Sequence, residues 1–147
     1  MENFIAYNPT RLHFGKGVIE TMAGVIKPLG TKALLVYGQG SVKRSGLYDR
    51  IKAQLEKAGV KVFEYGGIQP NPLVTDVDKA AQTGRENEVD FIVAVGGGSV
   101  IDSAKIISIT IPVQHPAWDF YEYKARPLKA IPLVAVLTLA ATGTEMN

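Results

Sequence analysis

Apolar positions along the chain follow two rhythms that alternate. Ala33 to Tyr37, Val60 to Tyr65, Phe91 to Val95 and Ile131 to Thr138 are short apolar runs followed closely by small or turn-forming residues, which predicts four strands. Between them, apolar residues recur every third or fourth position. Leu47, Ile51 and Leu55 mark one face of a helix over Ser45 to Ala58 with Gly59 as its cap, and Thr75 to Glu88 and Ser99 to Ile111 read as two further helices. Gly17 to Leu29 carries Val18, Met22, Val25, Ile26 and Leu29 at helical spacing and stops at Pro28 and Gly30. Asn3 to Phe14 alternates around Asn8-Pro9-Thr10, the pattern of a β-hairpin. Trp118 to Tyr123 reads as an aromatic cluster in a loop, there for packing.

Strands alternating with helices of this length predict right-handed βαβ units. The fold class is α/β, a doubly wound, Rossmann-like parallel sheet with helices on both faces, preceded by the hairpin. In such sheets ligands bind beyond the carboxyl ends of the strands. Those ends carry Gly38-Gln-Gly-Ser41, Gly66-Gly-Ile-Gln-Pro-Asn-Pro72, Gly96-Gly-Gly-Ser99 and Leu139-Ala-Ala-Thr-Gly-Thr144. Four such loops on one edge predict a cofactor crevice. The 147 residues are read as one dinucleotide-binding domain, 1–147. A net charge of +2 lacks the basic excess of a nucleic-acid binder. With no cysteine, no long apolar run and no signal-like start, the expectation is a cytoplasmic protein without a membrane or nucleic-acid partner.

The stretch Phe91-Ile-Val-Ala-Val-Gly-Gly-Gly-Ser-Val-Ile-Asp-Ser-Ala-Lys105 is the strongest chemical signal. Three glycines after a buried strand let main-chain N–H groups approach an anion, and the helix dipole favours negative charge at that end. Ser99 reads as the N-cap, with Asp102 three positions on. The spacing is not the usual dinucleotide fingerprint, because Ile101 stands where its last glycine belongs, and no P-loop lysine follows. On spacing alone, a plain strand-to-helix turn is the competing reading. For Asp102 that alternative is a carboxylate complementing the dipole, and for Thr138 a strand-end hydroxyl bonding its own backbone.

Taken together, Asn8 to Gly17, Tyr37 to Lys43, Pro70-Asn-Pro72, Gly96 to Lys105 and Thr138 to Asn147 resemble, in order and spacing, the amino-terminal nucleotide-binding domain of the iron-containing (group III) alcohol dehydrogenases. Within that family it resembles the butanol dehydrogenase and NADPH-dependent aldehyde reductase branch. The resemblance implies that Gly97, Gly98 and Ser99 hold a pyrophosphate and that Asp102 steadies that loop and reaches toward the ribose. It also implies that Thr138, Leu139, Thr142 and Asn147 line the nicotinamide side, and that Asn71 faces the cofactor. A carboxylate at the end of the first core strand would repel a 2′-phosphate. Here Gly38, Gln39, Gly40 and Ser41 stand instead, followed by Lys43 and Arg44, so NADP(H) is favoured over NAD(H). A solvated helix start is the other reading of the two cations.

The family's chemistry implies a second, helical domain that supplies an aspartate and three histidines to a divalent metal, Fe or Zn, after the segment ending at Asn147. Those ligands are not in this chain, whose histidines are His13, placed in the hairpin, and His115, placed in a loop. The helical metal domain is therefore expected to be absent, and no catalytic residue is named. The implied substrate is a small alcohol or aldehyde, and the implied assembly a homodimer through the N-terminal hairpin. Two functional readings stand: hydride transfer with NADP(H), or a nucleotide-binding module, a shortened dehydrogenase, without autonomous catalysis.

Overall fold

A computed structural model describes residue 5, residues 7–141 and residues 143–147. Four strands, β1 (Lys32–Gly38), β2 (Lys61–Ile68), β3 (Phe91–Gly96) and β4 (Leu133–Leu137), pair in parallel in the order β2-β1-β3-β4. Leu34 of β1 sits opposite Phe63 of β2 on one side and Ile92 of β3 on the other. The central strands are buried without interruption from Ala33 to Tyr37 and from Phe91 to Gly96 because both of their faces are covered. Leu34, Val36, Ile92 and Ala94 pack toward α4 (Val74–Glu86) and α5 (Gly98–Thr110), meeting Val77, Ala80, Val100, Ala104 and Ile107. The alternate residues Ala33, Leu35, Phe91, Val93 and Val95 pack with Met22 and Ile26 of α1 (Met22–Ile26) and Ile51 and Leu55 of α3 (Leu47–Lys57). Each fully buried aliphatic side chain contributes about 1.5–3 kcal/mol, so this two-sided core holds the strand ends in place.

The four expected strands and the helices between them are present with shifted ends. The helix expected over Ser45 to Ala58 is α3, which starts only after Gly46, whose φ of 73° lies in the left-handed region, and a separate turn that was not expected, α2 (Ser41–Arg44), precedes it. Gly17 to Leu29 divides into 3-10 turns at Val18–Thr21 and Lys27–Leu29 around α1. The aromatic cluster at Trp118 is not a loop but a single helical turn, α6 (Trp118–Tyr121), where Asp78 accepts the Ala117 N–H at 2.8 Å just ahead of it.

The hairpin expected over Asn3 to Phe14 forms no strand at residues 5 and 7–14; residues 1–4 and 6 lie outside the described residues. Among its described residues the apolar side chains of Ile5, Tyr7, Leu12 and Phe14 are all largely exposed. An isolated two-stranded hairpin without an apolar face to bury is marginal in water. What shapes the segment is an Asx turn, Thr10 N–H to Asn8 Oδ1 at 2.9 Å, and a bond from Asn8 Nδ2 to the Met146 carbonyl.

Candidate functional site

The chain leaves β1 to one side for β2 and returns on the other side as β3, so β1 and β3 are neighbours whose outgoing loops diverge. That divergence opens a crevice at the carboxyl edge. A cleft of about 470 Å³ occupies it, lined by Gly38, Gln39, Gly40, Ser41 and Arg44 after β1, Gln69 and Pro70 after β2, Gly97, Gly98 and Ser99 after β3, and Leu139 after β4. Thr138 N–H donates to the Gly96 carbonyl at 3.0 Å and holds the β4 exit beside the glycine loop.

The start of α5 differs from the sequence expectation in one respect. Gly97, not Ser99, is the N-cap; it is extended at φ −85°, and no side chain caps the helix. The N–H groups of Val100 and Ile101 turn back to the Gly97 carbonyl at 3.1 and 3.2 Å. Helix geometry leaves the N–H groups of Gly98 and Ser99 without intrahelical acceptors. A Cβ built on Gly97 meets no atom within 4 Å, whereas one on Gly96 would come within 2.6 Å of Val100 Cγ2. The two glycines therefore do different things. Gly96 lets α5 pack against β3, and Gly97 keeps clear the space from which an anion can reach the helix start. This cradle fits the pyrophosphate of a dinucleotide.

Arg44 is the cation lining the cleft, with Nη1 3.5 Å from where a Cβ on Gly40 would stand. Lys43 points elsewhere: its ammonium lies 4.9 Å from the Tyr37 ring centre and 4.8 Å from that of Tyr48. Beneath those rings Glu64 accepts from Tyr37 at 3.0 Å, Tyr48 at 2.7 Å and Lys52 at 2.9 Å. The bond to Glu64 pushes the Tyr48 hydroxyl up to about 12. Burial works to raise the Glu64 carboxyl, yet its three donors outweigh it and hold the group below the usual value. The Tyr37 hydroxyl is the main cause of a raised Lys43 ammonium. Of the two cations adjacent in sequence, one is thus tied to aromatic rings and the other faces the cleft.

A second cleft, of about 460 Å³, lies alongside between α4, α5 and α6, and Asp102, Lys105 and Asn147 contribute to it together with Leu73, Trp118 and Tyr121. Asp102 accepts a hydrogen bond from Thr144 Oγ1 and does not line the glycine cleft. Of the residues singled out from sequence, Gly38, Gly40, Ser41, Gly97, Gly98, Ser99 and Leu139 share the first cleft, and Asp102 and Asn147 share the second. Asn71, with φ 55°, and Thr138 line neither, and Thr142 lies outside the described residues. Sequence reasoning passed over Lys105, although its place three residues after Asp102 on α5 puts both on one helix face.

Among the described residues no group of three or more His, Cys, Asp or Glu side chains is placed to hold a metal ion. His115 instead sets Nδ1 3.0 Å from the Pro116 carbonyl and stacks edge-on with Phe120 at 4.8 Å, and His13 is exposed. The described residues therefore do not fit the divalent metal that the resemblance implies. No helix among the described residues is long and apolar enough to cross a membrane.

The model of the family described as iron-containing alcohol dehydrogenase matches residues 9–147. The chain belongs to that family. It is 50% identical over 147 residues to the probable NADH-dependent butanol dehydrogenase 1 of Bacillus subtilis, covering all of this chain and 38% of that protein. It is 41% identical over 150 residues to the NADPH-dependent aldehyde reductase YqhD of Escherichia coli, again covering all of this chain and 38% of the relative. The solved structure of NADH-dependent butanol dehydrogenase A from Thermotoga maritima superimposes with a TM-score of 0.96 at 41% identity, over 100% of this chain and 37% of that one. The chain thus spans little more than a third of the length of the relatives it matches.

Proposed function

We propose that residues 1–147 act as a dinucleotide-binding domain that holds NADP(H) for hydride transfer between the nicotinamide and a small alcohol or aldehyde. The observation that carries this reading is the glycine cradle at the β1/β3 divergence, open at Gly97 and flanked by Arg44. When bound, the cofactor supplies or accepts the hydride. The chain's residues bind and orient it: Gly98 and Ser99 N–H groups receive the pyrophosphate, and Gly38, Gly40 and Ser41 leave room on the adenosine side. Arg44 pairs with a 2′-phosphate there, as a guanidinium suits a phosphate. The relatives' names include both NADH and NADPH, so the preference for NADP(H) rests on Arg44 and on the absence of a carboxylate at residues 38–41. Thr138, Leu139, Thr142 and Asn147 belong to the nicotinamide side in this reading, and Asn71 faces the cofactor. A homodimer and a cytoplasmic location complete it, the first supported by the exposed apolar side chains of the N-terminal segment.

A second reading is binding without autonomous turnover, favoured by the lack of a metal-ligand group among the described residues. One experiment separates the two. NADPH absorbance is followed with butyraldehyde, with and without added Fe(II) or Zn(II), beside the NADPH/NADH affinity ratio of the wild type and of Arg44→Met. Aldehyde-dependent oxidation supports the enzyme and saturable binding alone supports the module. An affinity ratio unchanged in Arg44→Met removes the case for NADP(H).

A further inference from the structure

Lys105 has no role in either reading so far, yet it sits at the centre of the polar network that ties the end of the chain to α5. Its ammonium donates to the Thr144 carbonyl, to Thr144 Oγ1 at 3.2 Å and to Asn147 Oδ1. One turn earlier on the same helix, Asp102 accepts the Thr144 hydroxyl. An ammonium has three donors and no acceptor, so all its capacity is spent on this segment, and Lys105 is not left free as a phosphate ligand or a proton donor. Thr144 is buried, and a Cβ on Gly98 would stand 3.6 Å from its methyl. The clamp therefore abuts the phosphate-binding loop itself. At the other end of the segment, Thr138 N–H is fixed to Gly96. Residues 138–147 are thus pinned at both ends against the elements that form the cradle.

We propose that Lys105 is a positioning residue for the nicotinamide half of the cofactor, acting by holding residues 143–147 against α5 beside the glycine loop. The proposal rests on the nucleotide-binding reading above and assigns Lys105 no contact with the cofactor. Without the ammonium, three acceptors lose their donor and the segment must be ordered at the moment of binding, a cost that falls on the ligand's nicotinamide end. The adenosine half, set between Gly38, Ser41 and Arg44, does not pay it.

The test compares the wild type with Lys105→Met, which keeps the methylene stem, and Thr144→Val, which keeps the shape but removes the hydroxyl. Calorimetric titration with NADPH and with 2′,5′-ADP is read beside amide hydrogen exchange. Lys105→Met is expected to weaken NADPH binding by roughly tenfold while 2′,5′-ADP stays within about twofold. Exchange should rise at residues 143–147 and stay unchanged in β1 and β3, and Thr144→Val should move each readout the same way by less. Equal losses for both ligands, no loss for either, or unchanged exchange at 143–147 would overturn the role of Lys105. If the wild type binds neither ligand, the nucleotide reading itself falls and takes the nicotinamide role with it. Binding of both ligands with an unmoved ratio overturns Lys105 alone.

Discussion

Replacing Gly97 by alanine separates the site from the fold more sharply than any other single change. A Cβ there meets nothing within 4 Å, and the backbone, at φ −85° and ψ −170°, suits any residue. The folded state should therefore change by no more than about 0.5 kcal/mol, and the smaller unfolded-state entropy of alanine acts in the stabilising direction. The methyl group instead occupies the approach to the Gly98 and Ser99 N–H groups. Two charge-assisted bonds at about 1.5–3 kcal/mol each are then lost or lengthened, at least ~3 kcal/mol in all, or roughly a hundredfold in affinity. The neighbouring Gly96→Ala should do the opposite. Its Cβ would lie 2.6 Å from Val100 Cγ2 and 2.9 Å from Val100 Cβ in a buried position, an overpacking cost of about 1–3 kcal/mol. Thermal melting and calorimetric titration with NADPH read the two effects. If Gly97→Ala melts with the wild type and binds NADPH as tightly, the cradle is not where the phosphate sits.

Three further outcomes follow from the packing of the fold. The Tyr48 hydroxyl, normally near 10, is held to about 12 by Glu64, so its stabilising share is complete below pH 10 and is lost as pH rises toward 12. Tyr48→Phe should then flatten the fall in melting temperature over that window, and an equally steep fall in the variant would refute the coupling. The Glu64 carboxyl lies below its ordinary 4.5, so its contribution is present above that pH and fades as pH drops through the lowered value. Glu64→Gln should therefore flatten the acid limb. Asp90 Oδ2 accepts the Thr31 and Lys32 N–H groups at 2.7 and 2.9 Å where β1 begins, and Asp90→Ala should cost about 1–3 kcal/mol in urea unfolding. Loss of under ~0.5 kcal/mol would show that water replaces the carboxylate.

How far the chain could be read in advance depended on whether a feature was repeated or single. The strands were legible from their short apolar runs, most clearly in β1 and β3, where Ala33 to Tyr37 and Phe91 to Val95 are buried on both faces. The glycine loop was legible because it interrupts such a run. Ends were less so. Ser99 has the chemistry of a cap, but Gly97 already adopts the extended geometry that starts α5 two residues earlier. Alternation in Asn3 to Phe14 suggested strands, yet alternation marks a strand only when one face is covered, and nothing covers Tyr7, Leu12 or Phe14. Lys43 and Arg44 could not be told apart by sequence, because the rings that engage Lys43 come from Tyr37 and from Tyr48 across Gly46. Lys105 escaped notice for a related reason: its acceptors, Thr144 and Asn147, lie about forty residues away and are brought to α5 only by the sheet.

Amide NMR of the labelled chain, titrated with NADPH, tests the central claim most directly because it reports binding and place together. Saturable shifts are expected, largest at Gly97, Gly98, Ser99 and Gly40 and at the Arg44 side chain, with NADH producing smaller changes near Arg44. No shifts with either nucleotide, or shifts confined to Leu73, Trp118 and Tyr121 around the second cleft, would contradict it.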